Sequence, residues 1–122
     1  MPFPVIMKNT LPASVRLKRR SDFVRVQSSE RKVHTKHFLV ALDSAGSAGT
    51  RLGITVTKKI AKRATVRNRI KRCIREFFRH NRFRLHSNFD IVVIARRGAN
   101  ERSCEEIARE LFGAFRKGGL IT

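Results

Sequence analysis

The segment "RLGITVT" places Leu52, Ile54 and Val56 at alternate positions with Gly53, Thr55 and Thr57 between them. That period of two predicts a strand with one buried face and one small, polar, accessible face. "FDIVVIA", Phe89–Ala95, is apolar almost throughout and predicts a strand covered on both sides, central in its sheet. A third β-rich run covers Phe38–Leu42, and the "SAGSAG" that follows supplies small, flexible residues for a connection between antiparallel strands. Elsewhere the period is helical. At about 100° per residue, Val66, Ile70, Cys73, Ile74 and Phe77 fall within one arc. Cys104, Ile107, Ala108, Leu111 and Phe115 repeat in the same way, with a capping-box pattern at Ser103 and Glu106 before them and Gly118 and Gly119 after them. A short first helix carries Phe23, Val24 and Val26 behind Ser21, a candidate N-cap. The order predicts an α+β fold in which a mostly antiparallel sheet packs against helices.

Residues 1–15 hold all three prolines and little periodicity, so an irregular leading segment is expected there, followed by a single domain over 16–122. A chain of 122 residues has room for one hydrophobic core. With 41% apolar residues and nine Phe, it is too apolar for a disordered basic arm.

Charge narrows the partner. The formal net charge is +19, from 28 Lys and Arg against 9 Asp and Glu, and a folded domain so charged expects a polyanion, either nucleic acid or an anionic membrane surface. Arginine outnumbers lysine 19 to 9, which favours bidentate grip on phosphates and therefore nucleic acid. The stretch "PFPVIM" is too short for a signal-peptide core or a spanning helix, so a cytoplasmic protein with no membrane partner is expected. Cys73 and Cys104 lack any metal-ligand spacing; neither a zinc site nor a disulfide framework is indicated, and both are expected as buried small hydrophobes.

The cations concentrate. Lys58–Arg84 contains twelve cations and one acid, Glu76. Opposite the apolar arc of the predicted helix lie Asn68, Lys71, Arg72, Arg75, Arg79 and Arg82, and positions 68, 72, 75 and 79 form a stripe. A merely solvated face would mix Glu with the cations to gain i,i+4 pairs. Lys58, Lys59, Lys62 and Arg63 lead into the helix N-terminus, whose free N–H groups and dipole suit phosphates.

"TVTKKIAKRATVRNRIKRCIRE" resembles the protein component of bacterial ribonuclease P, in which an Arg-Asn-Arg core followed by Ile-Lys-Arg comes after a strand ending in Lys-Lys. The likeness runs from "RLKRRSDF" to the final helix. It implies a ribosomal protein S5 domain 2-like fold of order α-β-β-β-α-β-α with a left-handed crossover into the basic helix. It also implies a protein subunit of an endoribonuclease that binds the catalytic RNA and the 5′ leader of precursor tRNA. By the same resemblance the RNA is expected to carry the catalysis and the active-site magnesium, and no protein partner, protein-bound cofactor or protein catalytic residue is expected. Carried onto this chain, the contacts to the RNA subunit fall on Lys59, Arg67, Asn68, Arg69, Lys71, Arg72 and Arg75, to which the charge pattern adds Lys58, Lys62, Arg63 and Arg79.

The leader is expected across a cleft between the first helix and the sheet, past Phe23, Gln27 and Phe38, with phosphates on Arg16 and Arg19. Core packing weighs equally for Phe23 and more heavily for Phe38. Gln27 and Ala41 stand where the family often has aromatics. His34 and His37 have no triad or metal-ligand partners in the sequence and are expected at the surface or facing RNA. A nuclease active on its own is disfavoured because the acids are scattered; a structural ribosomal protein is the alternative reading of the same charge and fold.

Overall fold

Strand alternation divides the protein into two apolar layers of unequal size. The computed structural model describes residues 16–44, 50–85 and 88–121. Its elements are α1 (Arg20–Gln27), β1 (Lys32–His34), β2 (Phe38–Ser44), β3 (Arg51–Thr55), α2 (Ala64–Asn81), β4 (Phe89–Ala95) and α3 (Cys104–Lys117), with 3₁₀ turns at Arg82–Arg84 and Ala99–Glu101. This is the α-β-β-β-α-β-α order that the resemblance implies, β1 being a strand the sequence pattern did not mark.

The sheet order is β1-β2-β4-β3. β1 pairs with β2 and β2 with β4 in antiparallel register, Val40 opposite Val93, while β3 runs parallel to β4 with Ile54 opposite Val93. β4 is inner, as its unbroken apolar run requires. "SAGSAG" falls between β2 and β3, which run in opposite directions as expected but are not neighbours, because β4 lies between them; its residues 45–49 lie outside the described residues. Parallel neighbours need a long crossover, and α2 provides it.

On one face, Phe38, Val40, Leu42, Ile91 and Val93 pack with Ile70, Ile74 and Phe78 of α2 and Ile107, Leu111 and Phe115 of α3. Phe77 and Phe115 meet edge to face, centroids 5.2 Å apart. Over the other face lies α1, around Leu17, Val26, Ala41 and Val92, with Phe23 and Ile94 at the margin. The face of β3 expected to be small and accessible is therefore partly covered: Gly53 is buried.

α1 does not start as the sequence suggests. Arg20 already belongs to the helix, Arg19 is the N-cap, and no side chain caps it. Ion pairs hold this helix instead. Asp90, 0% exposed on β4, accepts from Arg51 Nε at 2.9 Å and Nη2 at 2.8 Å and pairs with Arg25 of α1. Arg25 also reaches Asp43 at 2.6 Å. Burial opposes charge on Asp90, but the Arg51 and Arg25 hydrogen bonds outweigh it and hold the carboxyl below its ordinary range.

α3 begins as predicted: Ser103 accepts from the Glu106 N–H at 3.1 Å and the Glu106 carboxylate accepts from the Ser103 N–H at 2.9 Å. Farther along, the Glu110 carboxylate accepts from the His37 N–H at 2.7 Å, meets His37 Nδ1 at 2.8 Å and also accepts from the Thr35 hydroxyl. His37 is thus a half-buried internal latch between α3 and the β1–β2 turn rather than an RNA-facing group, while His34 is exposed. Gly98, at φ +92°, closes beside it; a Cβ there would lie 2.9 Å from His37 Cδ2.

The reading of the cysteines is corrected as well. Cys73 is buried on α2, but Cys104 is exposed at the start of α3 and the two form a disulfide. They are 31 residues apart, and only the packing of α2 on α3 brings them together.

Candidate nucleic-acid interface

α2 is amphipathic along 18 residues, with Ile70, Cys73, Ile74, Phe77 and Phe78 buried. At about 1.5 Å per residue it extends roughly 27 Å. Asn68 and Arg72 are exposed, Lys71 and Arg75 half-buried. No hydrogen bond or ion pair joins any of these four side chains to another described residue. Arg79 differs, because it pairs with Glu76, which also lies 3.0 Å from His80 Nε2. The free part of the stripe is therefore Asn68, Arg72 and Arg75, with Lys71 beside them. Lys58, Lys59, Lys62 and Arg63 are all exposed just ahead of it. β3 ends at Thr55 and the two lysines stand in the turn beyond, not on the strand end. Ile60 and Ala61, whose N–H groups donate to Thr57 O at 3.1 and 3.2 Å, anchor that turn.

The two outer arginines of "RNR" turn out to have internal work. Arg67 Nη1 donates to the carbonyls of Ala61 at 3.0 Å and Lys62 at 2.8 Å, bracing the lysine turn. Arg69 donates to Arg102 O at 3.0 Å and Asn100 O at 2.9 Å, bracing the segment between β4 and α3. Both flank the exposed Asn68 in sequence, so both shape the surface as well as adding to its potential.

A second surface joins the first at the edge of β3. Arg16, Phe23, Gly53, Ile54, Lys71 and Arg75 line a small cleft between α1, β3 and α2. The Phe23 ring lies over Gly53, half-buried, so the residue packs and lines the cleft at once. Arg16 is held by a parallel bridge to Leu52, and the Leu17 N–H donates to Leu52 O at 2.9 Å; Arg16 and Leu17 are thus anchored to the sheet. Arg16 Nε is buried with no hydrogen-bond partner. Burial, and then repulsion from Arg16, lowers the proton affinity of Arg75. Like charges held this close leave the cleft favourable to an anion.

Phe38 is corrected: at 0% exposure it belongs to the main core and cannot touch a leader. Ala41 is buried under α1 and cannot stack on a base either. Gln27 is half-buried at the end of α1, and Arg19 is exposed at its start. Two contributors escaped the sequence reading. Asp90, hidden inside an apolar run, fixes α1 and with it one wall of the cleft. Phe83, beyond the end of α2, is 86% exposed with Arg82 Cζ 5.2 Å from its ring centroid; the "RFR" spelling around it is the signal that carried this in sequence. Among the described residues no group of three or more His, Cys, Asp or Glu is placed to hold a metal ion, and no helix is long and apolar enough to cross a membrane.

Comparison with known proteins places the chain in a family. The family described as Ribonuclease P matches residues 11–118. A ribonuclease P protein component from Geobacter sp. (strain M21) is 42% identical over 107 residues, covering 88% of this chain and 90% of that protein. One from Syntrophus aciditrophicus is 40% identical over 104 residues, covering 85% and 87%. Among solved structures, the Staphylococcus aureus RNase P protein superposes with a TM-score of 0.81 at 31% identity, over 88% of this chain and 98% of that one. The Thermotoga maritima RNase P protein, solved with 1-(4-fluorophenyl)-2-thiourea, gives 0.73 at 33% identity, over 80% and 94%.

Proposed function

From the premise that this chain belongs to the ribonuclease P protein family, and is thereby part of an endoribonuclease complex, we propose that it grips the catalytic RNA with α2 and steers the 5′ leader of precursor tRNA along the α1–β3 cleft. The observation that carries this is the run of cations on α2 and in the turn before it, free of acidic partners from Lys58 through Arg75 among the described residues. A phosphate backbone neutralises such a surface and releases its counterions. Asn68, Lys71, Arg72 and Arg75 meet the RNA subunit directly, with Lys58, Lys59, Lys62 and Arg63 at the helix N-terminus; Arg67 and Arg69 hold those loops in place and add charge, and Arg79 contributes at the margin.

The cleft reads the leader without reading its sequence. A half-exposed Phe23 offers a face to any base, and Arg16 beside Lys71 and Arg75 follows any backbone. Arg19 and Gln27 extend that path along α1. Because Arg16 and Arg75 share one cleft, the two RNA surfaces adjoin, and the protein ties the leader to the RNA that cuts it. Cleavage and its magnesium belong to the RNA subunit, in the cytoplasm, with no further protein partner. Reconstitution with the matching RNA subunit tests this: leader removal at low magnesium should need the protein, and cleavage by the protein freed of all RNA would overturn it.

A further inference from the structure

The packing of α2 on α3 joins Cys73 to Cys104 with Cα atoms 5.2 Å apart, inside the range a disulfide spans without backbone movement. The partners differ in access. Cys73 is 3% exposed and turned into the core, whereas Cys104 is exposed as the first residue of α3. Both line a largely apolar cleft of about 390 Å³ with Arg72, Phe77, His80 and Ala108, which leaves room for a small thiol compound. The amino end of α3 and Arg72 favour negative charge on an attacking sulfur at Cys104, against Glu76 and Glu105 on the same cleft.

We propose that Cys73 and Cys104 are a thiol–disulfide exchange pair, modified by low-molecular-weight disulfides, whose closure fastens α2 to the start of α3. The Cys104 thiolate attacks one sulfur of the small disulfide, forming a mixed disulfide and expelling one thiolate, which takes up the proton that Cys104 gave to solvent. The Cys73 sulfur, losing its own proton, then attacks Cys104 Sγ and expels the second small thiol. Two protein thiols are oxidised and one small disulfide is reduced to two thiols. Exposed Cys104 captures and buried Cys73 resolves. The new bond falls where Arg69 already ties α2 to the carbonyls of Asn100 and Arg102, so oxidation adds a covalent link to an existing clamp. None of this depends on RNA binding.

The test uses the full chain equilibrated with reduced and oxidised glutathione, alkylated and weighed intact. The wild type should escape both alkyl groups in proportion to the oxidised fraction and take up both after dithiothreitol. Cys73→Ser, or Cys73→Ala should the serine unfold the core, should keep one glutathione on Cys104; Cys104→Ser should leave Cys73 unmodified until denaturant is added. The thermal midpoint of the wild type should rise by roughly 10 °C on oxidation, and that of either variant should not respond. A wild type that stays a dithiol in excess oxidised glutathione, accumulates mixed disulfide without closing, or modifies Cys73 as readily as Cys104 would overturn the proposal.

Discussion

The ring of Phe23 rests on the bare backbone of Gly53: a Cβ built on Gly53 would come within 2.6 Å of Phe23 Cε1 and Cζ and 3.2 Å of Leu17 Cβ. The close approach, rather than any unusual backbone angle, is what requires glycine here. Gly53→Ala should push the ring off the sheet and cost about 1–3 kcal/mol in stability. Affinity for precursor tRNA should fall toward that for mature tRNA, with RNA-subunit affinity unchanged. Phe23→Ala should give the same functional loss without the steric cost. Comparing both substrates with each variant holoenzyme checks this; equal losses for mature and precursor tRNA would reduce Phe23 to a packing residue.

Arg72 and Arg69 sit three residues apart on α2 with different tasks. Arg72→Glu should weaken RNA-subunit binding by about tenfold or more, and lower the salt slope by about one, while leaving the thermal midpoint near the wild type's. Arg69→Ala removes two hydrogen bonds to carbonyls and should cost about 1–3 kcal/mol of stability. Binding titrations across salt, beside thermal melts, separate the two; an unchanged salt slope for Arg72→Glu would remove it from the interface.

Asp90 makes stability depend on acid. Its folded carboxyl titrates below its unfolded value, so the stabilisation is complete above the ordinary carboxylate range near pH 4 and is lost as pH falls through the lower folded value. Glu110 carries the same sign: burial opposes its charge, but hydrogen bonds from Thr35 and His37 prevail. Asp90→Asn should cost about 1–3 kcal/mol at neutral pH by removing the buried carboxylate that Arg51 and Arg25 share, and should flatten the loss of stability as pH falls below about 4. Denaturant melts over that range decide it; a variant as acid-sensitive as the wild type would place the effect elsewhere.

Phe83 offers an exposed ring beside Arg82 where the basic helix ends. Phe83→Ala should weaken binding of the RNA subunit by roughly tenfold if the ring stacks on a base. The chain contains no Trp or Tyr, so Phe83→Trp gives a single emission probe that RNA should quench. Unquenched emission with full-affinity binding would show that the ring stays in solvent.

Periodicity alone determined the two-faced α2, the capped α3 and the buried β4, because each reports neighbours a few residues away on one element. The charge run likewise marked α2 as the cationic face, and the Arg-Asn-Arg motif pointed to the family. What only the tertiary structure decided depends on partners far along the chain. β4 inserts between β2 and β3 and makes β3 parallel. Phe38 faces the core while Phe23, on the opposite side of the sheet, faces a cleft. Arg67 and Arg69 bend back to carbonyls that no spacing rule connects to them. Cys73 meets Cys104, and Asp90 meets Arg25 and Arg51, only after the layers have closed. A period shows which side of an element is apolar; which residues that side meets is settled by packing between elements.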